Sequence, residues 1–578
     1  MPAKPPPQPV LVVGHGLAGL VTAYELTRRG VRVVLIDQEN SLNVGGQAFW
    51  SLGGIFMVNS SYQRRMGIRD SHKLAVRDWM GTARFDGDDD TWPRRWAEAF
   101  VDFAADGMER YVRDVGLGFV PSVAWAERGD GTADGHGNSV PRFHIAWGAG
   151  PEVVRVFAEP AKAAEKKGLV EFKFRHAVDE LIVDEETGRA VGVRGRVLED
   201  DTSPRGEASS RVTKDTFELR GSAVVITSGG IGGNVDAVRA AWPVDRLGPK
   251  VPRSFVTGVP AHVDGRMIDI AEGAGARIIN RDRMWHYTEG LQNWNSIWPN
   301  HGIRVLPAPS SLWLDATGKR LPPFLFPGSD TLATLKHICS TGYDYSWFIL
   351  NQAIVAREFA LSGSEQNTDL TSKSVYQVLS SRVFGRKGTI HVQDFVKHGK
   401  DFVVRDNLED LVAAMNDLAK EEAAGEEDAA PPLRYDEIRE VVEARDGQFD
   451  NAFSKDAQAM LVRNARAYWP DSRSRVAKPH RILDPKFGPL IAVRMNLLTR
   501  KTLGGIETNL GGSVMKADGQ PFPGLYAAGE AAGFGGGGVH GHGALEGTFL
   551  GGCIFSGRAA GRAIADALGA GENIRHRL

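Results

Sequence analysis

Three glycines at fixed spacing, Gly14, Gly16 and Gly19, follow a short apolar run, Val10–Val13, and open a helical pattern through Leu17, Ala18, Leu20, Val21 and Tyr24. That order of residues holds a pyrophosphate. Gly14 makes the tight turn, Gly16 lets backbone N–H groups approach the anion, and Gly19 lets helix and strand pack closely. The helix N-terminus adds partial positive charge. Asp37 ends the next apolar run, where a carboxylate accepts from a ribose hydroxyl. The same spacing serves NAD and FAD. Acid–base chemistry is on offer elsewhere. Tyr343 and Tyr345 are two residues apart, hence on one face if extended, and a desolvated tyrosine near a cation acts as a general acid or base.

The elements that must position these groups are strands and helices in alternation. Residues 10–37 read as strand, helix, strand, with Gly30 closing the helix. Residues 223–226 are a second buried strand running into Ser228-Gly229-Gly230. Strand-like runs cover 171–174, 177–183 and 190–197, and the polar stretch 200–211 reads as a solvated hairpin loop. Residues 421–432 are acidic and end in proline, an exposed loop by composition.

The chain has 578 residues with 69 Lys+Arg against 71 Asp+Glu, so the formal net charge is −2. That balance gives no reason to expect nucleic acid or an anionic membrane as partner. No run of apolar residues reaches the length of a bilayer span, and the Pro-rich start lacks the apolar core of a signal peptide, so a cytoplasmic location is expected. Two cysteines, Cys339 and Cys553, exclude a disulfide framework, a Cys-rich metal site and a CxxC redox pair; no metal is expected.

Two glycine segments, Gly45-Gly46-Gln47 and Ser51-Leu52-Gly53-Gly54, follow the acid, and residues 524–530 read Gly-Leu-Tyr-Ala-Ala-Gly-Glu ahead of the glycine-rich run 533–543. With Ser228-Gly229 these segments resemble the flavoprotein superfamily of fumarate reductase, succinate dehydrogenase and 3-ketosteroid dehydrogenase, nearest to bacterial FAD-binding dehydrogenases called steroid-dehydrogenase-like. The resemblance covers nearly the whole chain. It implies an α/β fold: a Rossmann-type discontinuous FAD-binding domain (1–282 and 491–578) with an inserted α+β capping domain (283–490). It also implies one FAD. Asp37 would hold the adenosine ribose, Val178 the adenine, and Glu530 after Gly529 the ribityl or phosphate region. Asp264 would start a helix, and Ala544, Leu545, Phe549 and Leu550 would begin another whose N-terminus faces the flavin pyrimidine edge. Gln47 stands where succinate dehydrogenases carry their flavin-bonded histidine, so FAD is expected to be non-covalent.

The resemblance breaks at the substrate. Lys501 replaces the fumarate reductase histidine that binds a carboxylate, beside Arg500, and Ala544 replaces the arginine that clamps the other carboxylate. Alanine makes no bidentate clamp, so a C4-dicarboxylate is disfavoured. In the ketosteroid dehydrogenase alignment Gly543 is retained, a backbone N–H for a substrate carbonyl, while the tyrosine is Val539. His540 or His542 would then replace that tyrosine as donor. Tyr343 and Tyr345 fall where the superfamily places its proton-transferring side chain. His286 and Tyr287 are further pocket candidates, Trp50 stacks on the flavin or fills the core, and Arg304 and His301 read as structural. The expected activity is hydride transfer between flavin N5 and a C–C bond next to a carbonyl, in a bulky, steroid-like substrate, with an external electron partner not named by the sequence. The rivals are a fumarate-reductase-like enzyme on another unsaturated acid and a flavoprotein electron carrier.

Overall fold

In the computed structural model of the protein the described residues are 8–133, 135–385, 387–423 and 429–570. A six-stranded sheet runs in the order Ser513–Met515, Pro521–Ala527, Ala223–Ile226, Val10–Val13, Val33–Ile36, Val170–Lys173. All its pairings are parallel except the first. Val10–Val13, Val33–Ile36 and Ala223–Ile226 are buried at every position, as strands covered on both faces must be. Helix Leu17–Thr27 packs along helix Thr548–Ala567, which returns from the far end of the chain. Close approach there demands glycine: a Cβ on Gly557 would lie 2.6 Å from the Ala18 carbonyl oxygen.

A second, eight-stranded sheet stands beside the first. Its central strand, Leu490–Thr502, pairs with Tyr345–Asn351, Met284–Gln292, Phe402–Arg405 and Val256–Thr257. This strand stays in the second sheet for its whole length of 13 residues, on the order of 40 Å. Residues 491–502 and 256–257, expected in the FAD-binding domain, thus share a sheet with strands expected in the cap. The last residue of the central strand meets the glycine-rich half: the Thr502 N–H donates to Glu530 Oε1 at 2.8 Å.

Residues 200–211 do link two strands, Ala190–Leu198 and Thr213–Arg220, but the loop is not simply solvated. It folds back over residues 39–50. Ser209 Oγ donates to Glu39 at 2.7 Å, the Gly206 N–H donates to Asn43 at 3.1 Å, and the Arg205 guanidinium lies 3.7 Å over the Phe49 ring. The polar composition serves internal hydrogen bonds there. Of the acidic stretch 421–432, residues 424–428 lie outside the described residues; Glu421 and Glu422 end helix Leu408–Glu422.

Candidate active site

A groove opens at the carboxyl ends of the parallel strands, where ligands of open α/β sheets bind. Gly14 takes φ +103° and its N–H donates to the Ile36 carbonyl, closing the turn. A Cβ on Gly19 would sit 2.1 Å from the Gly14 carbonyl oxygen, so that glycine serves packing and does not face the groove. Gly14, Gly16, Ala18, Asp37, Gly45, Gly46, Gln47, Val178, Ser228, Gly229, Asp264, Gly529 and Glu530 all line it. Asp37 is held by the N–H groups of His15 and Glu39 at 3.0 and 2.9 Å. Gln47 donates its amide to Glu530 at 3.0 Å, and its own Oε1 is buried without a partner. Burial raises the Glu530 carboxyl above its usual range, against the charge of Lys501.

Besides Gly19, seven expected cofactor residues do not line this groove: Ser51, Gly53, Gly54, Ala544, Leu545, Phe549 and Leu550. Ser51 caps the turn before it, with Oγ donating to Ala48 O at 2.7 Å, and Gly54 begins strand Gly54–Phe56. The helix expected at Ala544–Leu545 begins at Thr548, because Gly547 at φ +90° breaks the backbone just before it. Ala544 and Leu545 are therefore loop, and Phe549 and Leu550 form the buried first turn.

The acid–base candidates separate. Lys501 sits between Glu530 of the groove and Glu546; burial, then the charge of Arg500, pulls its ammonium down to about 8. Tyr345 pairs with Asn496, five residues before Lys501 on the same strand, roughly 16 Å away. Both Tyr343 and Tyr345 line another hollow, with Arg494 and Glu422, which shares no residue with the groove. Both border that one hollow, and the strand register sets it apart from the groove. Gly543 already donates its N–H to the His540 carbonyl at 3.2 Å, so it offers no donor to a substrate. His540 is packed against Trp79, Phe534 and Phe549, lies 2.9 Å from Thr548 Oγ1 and is pushed down to about 3 by burial. It is a neutral core histidine. His542 turns outward to Asp86 at 2.8 Å and Arg246 at 3.1 Å.

What the structure assembles instead is a buried ionic cluster around Arg304. The antiparallel strands Met284–Gln292 and Gly302–Leu306 place Gly290 opposite Arg304 and so bring Glu289 beside it. Arg304 reaches Glu546 at 2.5 Å, Glu289 at 3.4 Å and Glu127 at 3.6 Å, and its guanidinium lies 3.8 Å over the Tyr287 ring. Three carboxylates face one cation. Burial lifts Glu127 to about 8 despite Arg304, so it keeps a proton at neutral pH. Burial also raises Glu289. For Arg304 burial acts downward, but the charges of Glu546 and Glu289 outweigh it and fix the guanidinium as charged. Glu546 also acts on the charge of Lys501, which in turn lowers Glu530 of the groove, so cluster and groove are coupled electrostatically. Tyr287 belongs to this cluster. His286, its neighbour on the opposite strand face, packs between Trp242 and Phe255. Arg304 was read as structural, and Glu127, Glu289 and Glu546 carried no motif. His301 stacks on Trp298 at 3.6 Å, and Trp50 meets the same ring edge-on at 5.5 Å.

A family model described as "FAD binding domain" matches residues 9–550. The chain is 58% identical to a KsdD-like steroid dehydrogenase of Mycobacterium tuberculosis, over 98% of this chain and 96% of that one. It is 59% identical to a KsdD-like steroid dehydrogenase of Mycolicibacterium smegmatis, over 94% and 96%. The 3-ketosteroid delta1-dehydrogenase of Sterolibacterium denitrificans, solved with 1,4-androstadiene-3,17-dione, shares the fold at TM-score 0.64 and 15% identity, covering 97% and 99% of the two chains. With the family matched from the first strand to the start of the last helix, the chain belongs to the FAD-binding-domain family and is an FAD-dependent dehydrogenase.

Proposed function

We propose that this dehydrogenase acts on a C–C bond next to a carbonyl in a bulky, neutral, steroid-like substrate. The observation that carries the reading is the acidic wall around Arg304. Its one cation is already engaged by Glu546, Glu289 and Glu127, so it is not free to clamp a carboxylate substrate. A fumarate-reductase-like reading needs free cations, and the sequence offers Arg500 and Lys501 for that purpose. The names of the 58–59% identical relatives point the same way.

FAD fits the groove. The orphaned Gln47 Oε1 asks for a donor, which the cofactor's hydroxyl and N–H groups supply, and the glycine turn with its helix offers backbone N–H groups to a pyrophosphate. Asp37 would take the adenosine ribose, Val178 the adenine, and Glu530 with Gln47 the middle of the cofactor. Bound there, FAD supplies a hydride acceptor and donor at N5. The chain's own part is to position the substrate and move one proton. Lys501, half-neutral near pH 8, would give or take it, and the Arg304 guanidinium holds the Tyr287 ring.

Two results follow. Asp37→Ala is expected to weaken FAD binding about 10- to 100-fold, the worth of a charge-assisted hydrogen bond. Fluorescence titration of the apoprotein measures it, and an unchanged Kd would remove Asp37 from the cofactor site. Anaerobic addition of a 3-ketosteroid is expected to bleach the oxidised flavin band. No bleaching, together with reoxidation of the reduced enzyme by fumarate or a related acid, would move the protein to the organic-acid reading.

A further inference from the structure

Helix Val375–Val378 runs directly into the π turn Leu379–Val383, and not one of these nine residues is buried. So short a helical stretch has little stability of its own and in globular proteins is held by burying an apolar face. This one turns its large side chains outward. Tyr376 is 80% exposed and Phe384 74%, with Val375 and Ile390 also projecting into solvent. Helix Trp469–Ser474 lies against the π turn and exposes Trp469 at 68%. Arg357 ties the two segments together: its Nη1 donates to the carbonyls of Arg382 and Val383 at 3.2 Å and of Arg473 at 2.6 Å. The two segments that carry the exposed aromatic residues are therefore neighbours on the surface.

The two sequence segments also depart in charge from the chain as a whole. Residues 373–400 hold six Lys and Arg against one acid, and residues 463–481 again six against one, in a chain of net charge −2. The nearby acids are engaged, Asp369 with Arg382 at 2.6 Å and Asp471 with Arg128 at 3.1 Å. Lys387, Lys397, Arg473 and Lys478 are exposed and, among the described residues, form no ion pair. Trp, Tyr and Phe ringed by Lys and Arg is the make-up of a surface that lies in the lipid headgroup region. Interfaces between proteins are instead depleted in Lys.

We propose that this face docks the enzyme on an anionic lipid bilayer, with Tyr376, Phe384 and Trp469 entering the headgroup region and the lysines and arginines meeting lipid phosphate. None of the described helices is long and apolar enough to cross a membrane, so the contact is peripheral. The near-neutral total charge conceals the feature. The inference stands apart from the identity of the substrate.

Cosedimentation of the FAD-loaded full chain tests it, with vesicles of phosphatidylcholine alone and of phosphatidylcholine with phosphatidylglycerol. The expected result is binding to the anionic vesicles that weakens with salt. Phe384→Ser with Trp469→Ser should lower the partition coefficient by roughly tenfold, and so should Lys387→Glu with Arg473→Glu. Flavin content and dye-coupled turnover should stay at the parent level in both pairs, which shows that they fold. Equal sedimentation with and without anionic lipid overturns the proposal, as does vesicle binding that neither pair reduces. A dimer in solution that the Phe384/Trp469 pair dissolves, without vesicle binding by the parent chain, also overturns it, because the face then joins two copies of this chain.

Discussion

Arg304→Ala is expected to destabilise the protein by about 3–5 kcal/mol and to abolish turnover. Removing one partner of a buried ion pair leaves uncompensated charge in a low-dielectric site, and that costs far more than the intact pair contributes. Here the deleted cation faces three carboxylates, of which Glu127 already holds a proton. Glu289, which burial already raises, must then take up a proton in the folded state or remain buried and charged. Its folded pKa lies above the unfolded one, so stability is retained at acid pH and lost as the pH climbs through the new folded value. The deficit of the variant should therefore widen between about pH 5 and pH 8. Urea unfolding at both pH values measures it. A uniform loss below 1 kcal/mol would show that the four side chains are solvated and would dissolve the cluster. Arg304→Ala with Glu546→Gln should recover part of the stability and none of the turnover, since it removes one stranded charge without restoring the guanidinium over Tyr287.

The cofactor groove was legible in the sequence because its chemistry is local. Turn, helix start and acid lie within residues 10–37, and each glycine there answers a steric demand that sequence spacing alone expresses. Glu530 was reached through its own short segment, and the structure sets it against Gln47 and Thr502. The ionic cluster had no such signature. Glu127, Glu289, Arg304 and Glu546 come from four separate segments, and only strand pairing between Met284–Gln292 and Gly302–Leu306 and the path of the loop before Thr548 bring them together. Tyr343 and Tyr345 lie away from the groove for a related reason. Alternation says which side chains share a face, but only register says where along a neighbouring strand that face arrives, and Tyr345 arrives at Asn496. The helix expected at Ala544 moved to Thr548 because one left-handed glycine, Gly547, outranks the apolar pattern around it.

Lys501→Met is expected to lower kcat by about 10²- to 10⁴-fold, the usual worth of a positioned acid or base. Two groups titrate near pH 8. Lys501 is drawn down to about 8 by burial and then by Arg500, while Glu127 is pushed up to about 8 by burial. In the dehydrogenation Lys501 accepts the α-proton only when neutral, so its titration makes the rate rise through pH 8, whereas Glu127 lowers the rate there by adding a negative charge to the cluster. Substitution separates them. Arginine does not release its proton, so in Lys501→Arg the rise disappears together with the activity, whereas Glu127→Gln leaves the rise in place. A rise that survives in Lys501→Arg would remove Lys501 from proton transfer. Stability gives an independent reading with its own sign. The folded pKa of Lys501 lies below its unfolded value, so between about pH 8 and pH 10.5 the unfolded chain binds more protons and this residue makes stability rise with pH. For Glu127 the folded value is the higher, and its contribution makes stability fall from about pH 4.5 to pH 8. Lys501→Met should erase the first slope and Glu127→Gln the second. A methionine variant that keeps the rise above pH 8 would place Lys501 in solvent and leave the proton without this carrier.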